Sequence, residues 1–171
     1  MKTYLISACL LGLPTRYDGS HNRLPRLYRL SRRCRLIPLC PEQLGGLATP
    51  RPPAEISGGD GSAVLDGDAA VLDEAGKDRT AQFLRGARAA LQLARLLGVD
   101  GAILKSGSPS CGSGFIYDGT FSGRRHGGDG VTAALLKRYG FPVYTEKSLP
   151  PAGEIRPRRR RLFLQRKRWL R

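Results

Sequence analysis

No stretch of this 171-residue chain approaches the ~20 consecutive apolar residues of a membrane span, and only a short apolar run follows Met1-Lys2-Thr3. Neither a spanning helix nor an export signal is therefore expected. Ile6-Ser7-Ala8-Cys9 has the outline of a lipoprotein cleavage site, but too few residues precede it to form charged and apolar signal regions. The four cysteines lack the dense spacing of a secreted disulfide scaffold, which points to a reducing compartment and a cytoplasmic location. They also include no Cys-x-x-Cys pair, which argues against the usual closed zinc site. The two histidines, His21 and His126, have no ligand spacing with the cysteines, and no internal repeat is evident. Acidic residues are scarce, 14 against 29 basic ones, and none falls between Arg156 and Arg171.

That last segment holds nine of the basic residues, so much of the +15 net charge belongs to it. The chain is long enough to bury one core without staples. The expected organisation is one domain over 1–150 and a basic tail over 151–171. A disordered, solubilising extension is the simplest reading of the tail. The alternative is contact with RNA phosphates or an acidic surface, with Phe163 and Trp169 adding stacking or apolar contact.

Within the domain, short apolar runs alternate with helical patterns. Tyr4 to Ala8, Arg35 to Leu39 and Gly101 to Leu104 read as strands, with Pro142-Val143-Tyr144 near the end. His21 to Cys34 carries Leu24, Leu27 and Leu30 at threefold spacing among arginines and reads as an amphipathic helix with Pro25 in its first turn. Asp78 to Leu97 is rich in helix formers, with Phe83, Ala87, Leu91, Ala94 and Leu97 on one face and Gly98 as a stop. Gly130 to Tyr139 repeats the pattern with Val131, Leu135 and Leu136 inward. The Pro- and Gly-rich stretch 50–68 reads as a loop leading into a hairpin of Ala63-Val64-Leu65 with Ala70-Val71-Leu72. The order implies an α/β fold: a single three-layer domain around a mainly parallel sheet.

Cys9, Cys40 and Cys111 each follow one of the apolar runs, so a parallel sheet would gather them at its carboxyl edge, where ligands collect. Cys34 precedes its strand and is expected to be a buried structural thiol at the other edge. Three thiolates can hold a 4Fe-4S cubane with one iron left open as a Lewis acid. The plainer reading is three buried or merely neighbouring thiols. Arg16, Tyr17 and Asp18, beside the turn former Gly19, either orient a substrate or lock the first loop.

Four ordered motifs narrow these alternatives: Ser7-Ala8-Cys9-Leu10-Leu11-Gly12 with Arg16-Tyr17-Asp18-Gly19; Cys40-Pro41-Glu42-Gln43-Leu44-Gly45-Gly46-Leu47 with Pro50-Arg51-Pro52-Pro53-Ala54-Glu55; Lys105 with Ser108-Pro109-Ser110-Cys111-Gly112; and Ile116-Tyr117-Asp118-Gly119-Thr120-Phe121. In these the chain resembles the thiouracil desulfurase family over roughly residues 3–145. The resemblance implies an α/β domain that removes sulfur from a thiolated pyrimidine or nucleoside with a 4Fe-4S cluster on Cys9, Cys40 and Cys111. The implied chemistry is hydrolytic and non-redox: sulfur binds the open iron, water attacks the ring carbon and sulfide leaves.

By the same resemblance Glu42 is the catalytic candidate for proton movement, with capping of the next turn as its structural alternative. Ser108 is preferred as a second catalytic group. Ser110, Arg16 and Asp18 are the substrate-binding candidates. Lys105 either neutralises developing charge or pairs with Asp118 or Glu55. The family's first motif usually has a further cysteine just before Arg-Tyr-Asp-Gly, where this chain has Thr15. Two other classes compete: a cluster- or zinc-containing RNA-binding protein without catalysis, and a redox or regulatory thiol protein.

Overall fold

The computed structural model describes residues 1–151, so the expected tail, apart from Pro151, lies outside the described residues. Strand β1 (Lys2–Ser7) buries Tyr4, Leu5, Ile6 and Ser7 in succession. An unbroken buried run marks a strand covered on both faces. A short helical turn at Ala8–Leu11 leads through a loop to α1 (Leu27–Ser31) and β2 (Cys34–Leu39). There follow α2 (Pro41–Leu44), β3 (Ala54–Ser57), α3 (Gly61–Asp66), β4 (Ala70–Asp73) and α4 (Thr80–Leu96). The remainder is β5 (Gly101–Leu104), β6 (Phe115–Tyr117), β7 (Arg125–Gly127), α5 (Val131–Arg138) and β8 (Val143–Thr145).

The main sheet has the order β2-β1-β5-β8 with all pairs parallel, the α/β architecture expected. Two antiparallel ribbons, β3 with β4 and β6 with β7, lie outside it. Because successive strand residues face opposite ways, the sheet feeds two cores. Leu5, Ala102 and Leu104 meet Phe83, Ala87, Leu91 and Ala94 of α4 and Val131, Leu135 and Leu136 of α5. Tyr4, Ile6 and Ile103 meet Leu27 and Cys34, with Leu24 and Leu30 packed alongside. Burial of one large side chain such as Phe83 contributes about 1.5–3 kcal/mol.

Three expectations are corrected. The helix expected over 21–34 shrinks to Leu27–Ser31, because the N–H groups of Asn22 and Leu24 donate to the carbonyls of Cys9 (2.9 Å) and Leu10 (3.0 Å). Those bonds hold 22–24 against the Cys9 turn, and Cys34 opens β2 instead of closing a helix. Ala63-Val64-Leu65 belongs to α3, whose start is capped by Asp60 accepting from Ser62 (2.9 Å) and Ala63 (3.2 Å) N–H; the hairpin partner of β4 is Ala54–Ser57. Finally, Leu97 is exposed, and Val99 fills the apolar position beyond Gly98.

Candidate active site

From β1 the chain steps outward to β2, then returns to place β5 on the other side of β1. Connections therefore diverge between β1 and β5, the place where parallel sheets open a crevice. Ser7 Oγ, at the end of β1, accepts the Lys105 N–H just after β5 at 3.0 Å and closes the floor of that crevice. Cys9 lies in the turn after β1, Cys40 directly follows β2, and Cys111 lies in the loop after β5. All three line one cavity of about 330 Å³. Cys34 sits at the opposite end of β2, buried, with its thiol donating to the Leu30 carbonyl at 3.3 Å. It does not line the cavity and is the structural thiol expected.

Burial pushes all three cavity thiols above the ordinary cysteine value, Cys111 most strongly. The Asn22 amide, 4.0 Å from Cys9 Sγ, partly offsets this for Cys9. Thiolates in such a place need a compensating metal charge, and a coordinating metal deprotonates thiols outright. The cavity lining adds no histidine to these sulfurs. Among the described residues no three His, Cys, Asp or Glu side chains converge on a single ion-sized point. Three soft donors spaced around a shared volume fit a polynuclear iron–sulfur group.

Glu42 reaches the cavity from α2, and a close helix contact sets its place. A Cβ on Gly86 of α4 would overlap the Pro41 carbonyl, and one on Gly45 would overlap the Gln82 carbonyl, so only glycine lets the two helices approach this far. The Glu42 carboxylate is then held at both oxygens. Arg51 Nε donates to Oε2 at 2.7 Å, and Ser108 Oγ donates to Oε1 at 3.4 Å. Ser108 Oγ itself accepts the N–H groups of Ser110 and Cys111, each at 3.1 Å. With both lone pairs occupied, the hydroxyl proton is left for Glu42.

Arg51 is the functional neighbour that sequence reasoning left without a role. Its side chain is only 7% exposed. Besides Glu42 it reaches the carbonyls of Thr15 (3.1 Å) and Ala48 (3.1 Å), and Thr49 Oγ1 at 2.9 Å. The Thr15 carbonyl also accepts from Cys40 Sγ at 3.7 Å. Thr15 thus meets the site through its backbone, a role that needs no thiol. The only sequence signal for Arg51 is its place in a quoted motif, since its partners lie across a Pro-rich loop.

The other candidates divide. Arg16 lines the cavity, with Nη1 on Asn22 (3.0 Å) and Nη2 on Asp18 (3.0 Å). Asp18 lies outside the cavity lining and orients Arg16; the Arg16 bond, with further bonds from Ser20, holds its carboxyl far below the usual range. Ser110 is also turned away: it is 1% exposed and shares a hydrogen bond with Thr132 Oγ1 at 2.9 Å. It anchors the Cys111 loop to α5 and does not line the cavity. Lys105 lines the cavity but pairs with Glu146 at 3.0 Å, which corrects the expectation of Asp118 or Glu55. Glu55 instead accepts the N–H groups of Gly119 and Phe121, each at 3.0 Å.

Residues 4–148 match the 2-thiouracil desulfurase family, and the chain belongs to it. It is 48% identical over 145 residues to the uncharacterized protein YbbK of Bacillus subtilis (strain 168), across 85% of this chain and 96% of that one. Among solved structures it is similar to the 4Fe-4S-dependent thiouracil desulfidase TudS, with a TM-score of 0.76 and 46% identity, covering 86% of this chain and 92% of that one. Among the described residues no helix is long and apolar enough to cross a membrane.

Proposed function

We propose that this protein removes sulfur from a thiolated pyrimidine of the thiouracil class, using a 4Fe-4S cluster held by Cys9, Cys40 and Cys111. The observation that carries this reading is the meeting of three thiols, two buried and Cys40 half-buried, and one doubly held carboxylate on a single cavity, in a chain of this family. When bound, such a cluster leaves one iron free of protein ligands and supplies a Lewis acid for the thiocarbonyl sulfur. Replacing the C=S of the ring by C=O consumes one water and yields hydrogen sulfide, with no net transfer of electrons. The residues therefore have protons to move, not electrons.

Glu42 is the proton acceptor for the attacking water. Arg51 ties down Oε2, so Oε1 is the oxygen presented to Ser108 and the cavity. The Ser108 hydroxyl donates to Oε1 and holds that oxygen toward the cavity, so the carboxyl of Glu42 itself hands the proton on to the ring. Arg16 and Lys105 put two cationic side chains on the cavity wall, where they favour the electron-rich oxygen of the pyrimidine. The lining carries few other charges, which suits a base or nucleoside.

Purification without oxygen is expected to give about four irons and four acid-labile sulfides per chain. The Cys9→Ala/Cys40→Ala/Cys111→Ala variant should hold neither. The loaded wild type should convert 2-thiouracil to uracil with one sulfide per turnover. Zinc alone, or no iron retained after reconstitution, would overturn the reading.

A further inference from the structure

We propose that the arginine-covered face around α1 binds single-stranded RNA. Between Gly19 and Pro41 the chain has no acidic residue and six arginines, Arg23, Arg26, Arg29, Arg32, Arg33 and Arg35. All six are exposed. Local packing explains the arrangement: Leu24, Leu27 and Leu30 turn toward the sheet, and the residues between them are left outside. Elsewhere several basic side chains are paired with carboxylates, as with Arg51 on Glu42, Arg79 on Asp73, Lys137 on Asp129 and Arg138 on Asp66. Among the described residues none of the six arginines has a carboxylate partner. Arg35 alternates with Cys34 and Leu36 along β2 and so leaves the sheet on the side away from α1. The other five, on α1 and its flanks, repel one another and add nothing to the core, while together they form a strong field for a polyanion.

Tyr28 decides which polyanion. It is 56% exposed at the centre of this face, and the Arg23 guanidinium lies 5.3 Å from its ring centroid. An aromatic ring among arginines is a platform on which an unstacked base can lie, whereas a chain of carboxylates has no use for it. A five-residue helix between loops offers no long element to follow a duplex groove, so a single strand is the better match. Neither Tyr28 nor any of the six arginines lines the cavity. The binding face therefore stands apart from the desulfuration chemistry.

The test uses the full-length protein, basic tail included, with a fluorescent 20-nucleotide oligouridylate titrated at several salt concentrations. Arg26→Gln/Arg29→Gln/Arg32→Gln should reduce the slope of log K against log salt by about 2, from roughly 0.7 per lost phosphate contact. Tyr28→Ala should weaken RNA binding about tenfold with the slope unchanged. Both variants should keep the wild-type unfolding midpoint and the wild-type iron content. An unchanged affinity and slope in the triple variant would overturn the proposal and leave RNA contact to the tail. So would polyglutamate binding as tightly as RNA, indifferent to Tyr28→Ala, which would make the partner an acidic polypeptide.

Discussion

Glu42 and Arg51 form a pair whose two members do different work. Glu42→Gln keeps the shape and the Ser108 contact but cannot take a proton, so kcat should fall about 10²–10⁴-fold with KM and iron content little changed. Arg51→Met leaves a carboxylate that is only 15% exposed without its guanidinium and strips donors from the Thr15 and Ala48 carbonyls. Stability should drop by on the order of 3 kcal/mol, read from denaturant unfolding. The double variant Glu42→Gln/Arg51→Met should recover part of that loss, since the neutral amide no longer needs the cation. Ser108→Ala removes the acceptor of two backbone N–H groups beside Cys111, and should cost about 1–3 kcal/mol as well as activity.

Between elements, the contact of α2 with α4 is the most sensitive, because it sets Cys40 and Glu42 at once. Gly86→Ala puts a Cβ against the Pro41 carbonyl and forces α2 away from α4. A loss of about 1–3 kcal/mol is expected, together with reduced iron retention, while Arg88→Ala on the exposed side of the same helix should change neither. Another junction links the loop after β5 to the end of β8. Burial raises the Glu146 carboxyl, but bonds from the Ser106 hydroxyl and N–H and from Lys105 outweigh it, so its pKa lies below the ordinary value. A depressed carboxyl adds stability that is full above the unfolded value, about 4.3, and fades as pH falls through the lower folded value. Glu146→Gln should therefore flatten the acid limb of Tm against pH.

These elements also show what the sequence makes legible. The strands of the main sheet, α4 and α5 follow from apolar periodicity, and the three cavity cysteines follow from their place at strand ends. The shortening of α1 does not, because it depends on the N–H groups of Asn22 and Leu24 finding carbonyls in the Cys9 turn. The partner of β4 was hidden because Ala63-Val64-Leu65 suits a strand as well as a helix, and only the Asp60 cap decides it. Ser110 differs from its reading, and Arg51 received none, for one reason: which way a loop side chain turns is fixed by partners remote in sequence.

At the scale of the molecule, charge is unevenly divided along the chain. One acidic residue, Asp18, precedes Glu42, whereas Asp60, Asp66, Asp68, Asp73, Glu74 and Asp78 crowd the segment around α3 and β4. Attraction of the α1 face for anions should therefore be strongest in dilute buffer and weaken as the Debye length shrinks toward 10 Å and below.

The placement of β1 also has a meaning in time. Thr3 N–H donates to the Asp100 carboxylate at 2.8 Å across 97 residues, and β5 pairs beside it. During synthesis, at about 5–20 residues per second, the first strand made waits roughly 5–20 s for its second neighbour. Tyr4, Leu5 and Ile6 spend that interval along an open, apolar edge. A nascent chain halted just before residue 101 should be a strong client for chaperones, and one extended past the end of β8 a weak one.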